Sequence, residues 1–95
     1  MKYKLDYLLQ YISHQELNNI LDRYNEYTLK SLEDERVLVL NNIRYLIKYG
    51  VSNINEIIER NTEDFLEAEQ TFRNKIKKYE EKMSKQEVIH LLENK

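Results

Sequence analysis

Apolar residues recur at helical spacing along almost the whole chain, and one short arrangement of them occurs three times. Ser13-His14-Gln15-Glu16-Leu17-Asn18-Asn19-Ile20-Leu21-Asp22-Arg23 is the first copy. Ser52-Asn53-Ile54-Asn55-Glu56-Ile57-Ile58-Glu59-Arg60 is the second, and Ser84-Lys85-Gln86-Glu87-Val88-Ile89-His90-Leu91-Leu92-Glu93-Asn94 is the third. Each has a polar start, one apolar residue, two adjacent apolar residues three positions on, and then an acid. Leu17 and Ile54 lie 37 positions apart, Ile54 and Val88 34. A period in this range marks stacked helical repeats, because one unit cannot bury its apolar face alone. The pattern predicts an all-α fold of five or six helices. They should stack as irregular helical hairpins in a single compact domain over residues 1–95.

The elements can be placed in order. Leu5, Leu8, Leu9 and Ile12 at i, i+3, i+4, i+7 predict a first helix over about residues 3–12. Ser13 with Glu16 forms a capping box that starts a second helix, with Leu17, Ile20, Leu21 and Tyr24 facing inward. Residues 25–31 allow either a break or a continuation; the repeat register favours a break near Asn25. A long helix should follow and end at Tyr49. Val37, Leu38, Val39, Leu40, Ile43, Leu46 and Ile47 surround much of its girth, so it is expected to be central. Gly50 is expected to take positive φ just past its end. Asn53 with Glu56 is expected to cap a short helix carrying Ile54, Ile57 and Ile58. Thr62, with Glu63 and Asp64, is expected to cap a long helix whose stripe is Phe65, Ala68, Phe72, Ile76, Tyr79 and Met83. Ser84 with Glu87 forms another capping box, ahead of Val88, Leu91 and Leu92.

The segment Tyr45-Leu46-x-x-Tyr49-Gly50-Val51-x-x-Ile54-x-x-Ile57-Ile58-x-x-Asn61-Thr62-x-x-Phe65-Leu66 resembles a repeat of the mitochondrial transcription termination factor (mTERF-like) family, over about residues 38–92. Thr62 stands where such repeats usually have proline. The resemblance implies helical repeats, which in that family line a basic groove for nucleic acid.

Composition narrows the chemistry. The 95 residues include no Cys, no Pro and one Gly, so disulfides, thiolate metal sites and glycine-rich phosphate loops are excluded. Scarce Ala, Gly and Pro beside abundant Asn, Lys, Ile and Tyr suggest an AT-rich source genome. The net charge of −2 is not that of a dedicated nucleic-acid binder. The start of the chain lacks a signal-peptide core and no apolar run would span a membrane, so a cytoplasmic location is expected. His14 and His90 lie far apart and form no H-E-x-x-H motif. With no carboxylate pair placed for acid–base work either, no enzyme activity, cofactor or metal is expected.

Three features suggest binding. Residues 56–69 carry Glu56, Glu59, Glu63, Asp64, Glu67 and Glu69 against Arg60, whereas 73–85 carry Arg73, Lys75, Lys77, Lys78, Lys82 and Lys85 against Glu80 and Glu81. Macrodipole complementarity explains such a split, and so does a basic patch for phosphate. Tyr3, Tyr7 and Tyr11 at i, i+4, i+8 would widen the first helix into an aromatic contact arc, a favoured interface chemistry. Ile89 lies off the inward face of the last helix, so either terminal helix could meet another protein, including a second copy as a homodimer. The expected function is a small non-enzymatic protein-binding regulator or inhibitor acting through Tyr3, Tyr7, Tyr11 and Ile89. Phage or mobile-element products, including anti-defence proteins such as CRISPR inhibitors, exemplify that class. The alternative is a nucleic-acid-binding transcriptional regulator using Arg73, Lys77, Lys78 and Lys82.

Overall fold

The computed structural model describes residues 2–95, and every regular element among them is helical. Six α-helices follow a short 3-10 segment at Asp6–Gln10: α1 (His14–Arg23), α2 (Glu26–Asp34), α3 (Arg36–Tyr49), α4 (Ile54–Arg60), α5 (Glu69–Glu80) and α6 (Lys85–Asn94). A second 3-10 segment, Thr62–Leu66, links α4 to α5.

The repeated phrase is a structural unit. Its three copies are α1, α4 and α6, and α4 packs between the other two. Helices α2, α3 and α5 form the opposing row, with α3 against both α2 and α5. Between the rows lies one core, from Leu5 and Leu8 through Leu17, Ile20, Ile43, Leu46, Ile58 and Phe65 to Val88. The array is elongated, 42 × 24 × 20 Å, as stacking along one direction requires. Polar ties join adjacent copies. Asn55 donates to the Glu16 carboxylate at 2.9 Å and Asn19 to Glu59 at 3.3 Å, joining α1 to α4. Asn53 Nδ2 and Arg60 Nη2 both donate to the Glu93 carbonyl, at 2.9 and 2.8 Å, joining α4 to α6. Ser52 adds its amide and hydroxyl to the Glu93 carboxylate, both at 2.7 Å. The Ser52 hydroxyl and amide hold that carboxyl below its usual pKa range.

Both capping boxes form. Ser13 Oγ accepts from the Glu16 amide at 3.1 Å while Glu16 accepts from the Ser13 amide at 2.8 Å; Ser84 and Glu87 repeat this at 3.3 and 2.9 Å. Asn25 caps α2 by accepting from the Thr28 amide, which settles the break that the repeat register favoured. The end of α3 closes as a Schellman motif. The Val51 amide reaches Leu46 O, the Gly50 amide reaches Ile47 O, and Gly50 stands at φ 123° as expected. A Cβ at position 50 would sit 3.1 Å from Ile89 Cδ1. Gly50→Val should therefore destabilise by about 1–3 kcal/mol through backbone strain, with the Ile89 clash in addition. Gly50→Asn should be milder, since Asn tolerates positive φ better. Equal denaturation midpoints for Gly50→Val and the parent chain would contradict this.

Four boundaries differ from the sequence expectation. Residues 3–12 form no α-helix, only the five-residue 3-10 segment; Leu5 and Leu8 turn inward because residues three apart eclipse in that geometry. The long central helix is broken at Glu35 into α2 and α3. Asn53 makes no side-chain cap to α4: its Nδ2 donates to the Glu56 carboxylate and the Glu93 carbonyl, and its Oδ1 accepts from no amide of the helix. Thr62 caps nothing: it is buried and donates its hydroxyl to Ile58 O at 2.6 Å. The chain then extends at Glu67 and Ala68 before α5 begins, so Phe65 and Phe72 belong to different elements and Ala68 is exposed.

Candidate interaction surface

Helix α3 touches α2, α4, α5 and the second 3-10 segment, yet one side of it is bare. At about 100° per residue, Val39, Asn42, Ile43 and Leu46 share the covered side, and all four are buried. Val37, Leu40, Arg44, Ile47 and Lys48 fall within one arc of about 100° on the outer side. Val37 is 68% exposed and Ile47 40%, while Leu40 is half-buried and both cations are exposed. Helix α3 is central in the array, as expected, but neighbours cover only part of its circumference. The face was visible in the sequence, because Arg44 and Lys48 mark which side of the helix meets water.

The covered side is held by an unexpected polar residue. Asn42 is fully buried, and its Nδ2 donates to Phe65 O at 3.0 Å and Glu67 O at 2.9 Å. These bonds satisfy one carbonyl of the second 3-10 segment and one of the extended link just after it, and fasten both to α3. The ring of Phe65 then packs against Phe72, centroids 5.4 Å apart, and Phe72 meets Tyr45 edge-on at 6.4 Å. Tyr45 and Tyr49 sit between the outer face and α5. Arg73 stacks over Tyr45 at 5.0 Å and Lys85 over Tyr49 at 5.2 Å. Tyr49 also donates to Glu80 at 2.9 Å, and burial together with that bond raises its pKa to about 12.

The residues singled out in the sequence are dispersed. Tyr3, Tyr7 and Tyr11 are each half-buried, but without an α-helix they do not line up as an arc. The Tyr7 hydroxyl donates to Leu32 O at 2.6 Å, and burial drives its pKa well above the ordinary phenol value. Tyr3 shares a shallow groove with Tyr27, which is 81% exposed; Lys2, Glu26, Lys30 and Asp34 edge it as ion pairs. Ile89 is half-buried and closes over Gly50 at the end of α3.

The basic stretch is likewise divided. Arg73 pairs with Glu69 at 3.6 Å and Lys75 bonds Glu67 at 2.6 Å, so these cations answer the acidic run rather than face solvent as a patch. Glu56, Glu59 and Asp64 also have cationic partners, in Arg60, Arg23 and Lys95, and Glu63 accepts from Thr28. Lys77, Lys78 and Lys82 are exposed and make no ion pair among the described residues, but Lys78 points about 100° away from Lys77 and Lys82 lies beyond the end of α5.

His14 and His90 are both exposed, on α1 and α6. No group of three His, Cys, Asp or Glu is placed to hold a metal among the described residues, and no helix there is long and apolar enough to cross a membrane. A partly open cavity beside Leu46, Phe72 and Ile76, edged by Lys75 and Lys95, measures about 30 Å³. That is room for a water or two, not for a metabolite. Comparison with family models, curated proteins and solved structures yields no match.

Proposed function

We propose that this chain is a small non-enzymatic protein-binding regulator that acts by occupying a partner's surface through the outer face of α3. The observation that carries the reading is the pair Val37 and Ile47, exposed on a helix whose other side is fixed by buried Asn42 and Leu46. Aliphatic side chains presented on a preorganised helix gain from burial and lose little conformational freedom when they dock. The tyrosines first expected to bind are less suited: Tyr7 has already used its hydroxyl on Leu32, and Tyr11 is half-buried. Nucleic-acid binding through Arg73, Lys77, Lys78 and Lys82 has less support. Arg73 is engaged by Glu69, and the nearby rings of Tyr45 and Tyr49 are already covered by cations rather than open for base stacking.

A photo-crosslinking residue at position 37 should capture a discrete protein from an extract of the source cell, and one at exposed Asn18 on α1 should not. With the crosslinker kept at position 37, Arg44→Asp combined with Ile47→Asp on the same arc should abolish the adduct while helicity is retained. Equal labelling from positions 18 and 37, or an adduct indifferent to the paired aspartates, would contradict the reading.

A further inference from the structure

The outer face of α3 carries charge of one sign. Between Arg36 and Tyr49 the helix holds Arg36, Arg44 and Lys48 and no acid. None of the three enters an ion pair among the described residues, whereas most acids of the neighbouring 56–69 run do. Arg44 and Lys48 border a groove with Asn41, Tyr45 and Arg73. The nearby carboxylate, Glu69, is held by Arg73 and by Asn41 at 3.3 Å, so it does not neutralise Arg44 or Lys48.

We infer that the occupant of this face is an acidic amphipathic helix of a partner protein, with aliphatic residues along its stripe and Asp or Glu at its edge. This rests on the protein-binding reading above and specifies the partner. Val37, Leu40 and Ile47 lie at i, i+3 and i+10 of one stripe along α3, with Arg44 at i+7, the spacing at which a second helix lays its apolar face. Arg44 interrupts that stripe and Lys48 borders it, and both would meet carboxylates from the docked helix. Such complementarity speeds association and rejects basic partners. A phosphate backbone would satisfy Arg44 and Lys48 but leave Val37 and Ile47 against water. The covered rings of Tyr45 and Tyr49 offer no compensating stack.

The test is fluorescence anisotropy of the full chain with three labelled 20-residue helical peptides. They share one leucine stripe and differ only in a polar face of Glu, Gln or Lys. A labelled single-stranded 20-nucleotide DNA and anionic phosphatidylserine vesicles complete the set. The Glu peptide should bind at least tenfold more tightly than the Gln peptide at low salt, and the Lys peptide should not bind. Arg44→Glu with Lys48→Glu should invert that order. Val37→Ser with Ile47→Ser should weaken the Glu and Gln peptides alike, with circular dichroism showing both variants folded. Equal binding of the Glu and Gln peptides would overturn the inference, as would tighter binding of the DNA or the vesicles. A parent-chain dimer dissociated by Val37→Ser with Ile47→Ser would overturn it too, since the face would then be covered by a second copy. A position-37 adduct without a Glu-peptide preference overturns the acidic partner alone; loss of both overturns the protein-binding reading as well.

Discussion

Asn42→Asp should lose about 3–5 kcal/mol of stability at neutral pH, the cost of an uncompensated buried charge. The position is fully buried, and the side chain donates two hydrogen bonds to carbonyls. An aspartate there would aim a carboxylate at the oxygens of Phe65 and Glu67. A domain of this size has only about 5–15 kcal/mol in total, so much of the margin would go. The pH dependence has a definite sign. Burial without a donor raises the folded-state pKa of the new carboxyl above its unfolded value of about 3.9. The variant's stability relative to the parent is then best below that unfolded value and falls as pH rises through the raised folded pKa. Recovery at low pH should be partial, since a protonated carboxyl supplies one donor where Asn42 supplied two. Urea unfolding of both chains between pH 4 and 8 measures this. A difference between them that does not vary with pH would show that position 42 is hydrated, not sealed. Asn42→Leu should also destabilise, by about 1–3 kcal/mol for each carbonyl left unsatisfied, but with no such pH dependence.

Phe72→Ala should cost about 3–5 kcal/mol, as for other buried aromatic truncations. Phe72 is 6% exposed and lies between Phe65 and Tyr45, so its removal opens a space lined on two sides by rings. It also removes support from Tyr45, over which Arg73 stacks. The paired control is Ala68→Leu. A continuous helix from residue 62 would turn Ala68 into the core, where a leucine would overpack it. In the observed fold Ala68 is exposed in the extended link before α5, and the change should stay within about 0.5 kcal/mol of neutral. Chemical denaturation separates the two: destabilisation by Ala68→Leu comparable to that of Phe72→Ala would restore the continuous helix and refute the link.

Much of this fold is readable because its decisive signals are local. Ser13 with Glu16 and Ser84 with Glu87 satisfy orphan amides within four residues, so those helix starts follow from local chemistry where no distant group competes, as Glu93 does for Asn53. Gly50 is comparable, since positive φ at a helix end selects glycine whatever surrounds it. The threefold phrase likewise foretold that α1, α4 and α6 would need one another, because each is too short and too one-sided to stand alone.

What sequence spacing could not supply was the choice among conformations of nearly equal local merit. Leu5, Leu8, Leu9 and Ile12 fit an α-helix and a 3-10 segment alike. The hydrogen bonds from Lys4 to Glu33 and from Tyr7 to Leu32 belong to the latter's packing on α2. Thr62 reads as a cap until its hydroxyl turns back to Ile58 inside the core. Asn42 looks like an ordinary polar residue of a helix until two carbonyls from a segment more than twenty positions away converge on it. The outer face of α3 divides in the same way. Its apolar and basic residues were legible in the sequence by themselves. Only tertiary packing decided that Val37 and Ile47 would stay uncovered, because burial depends on how far neighbouring helices reach around α3, and that is a property of the assembled rows rather than of any one segment.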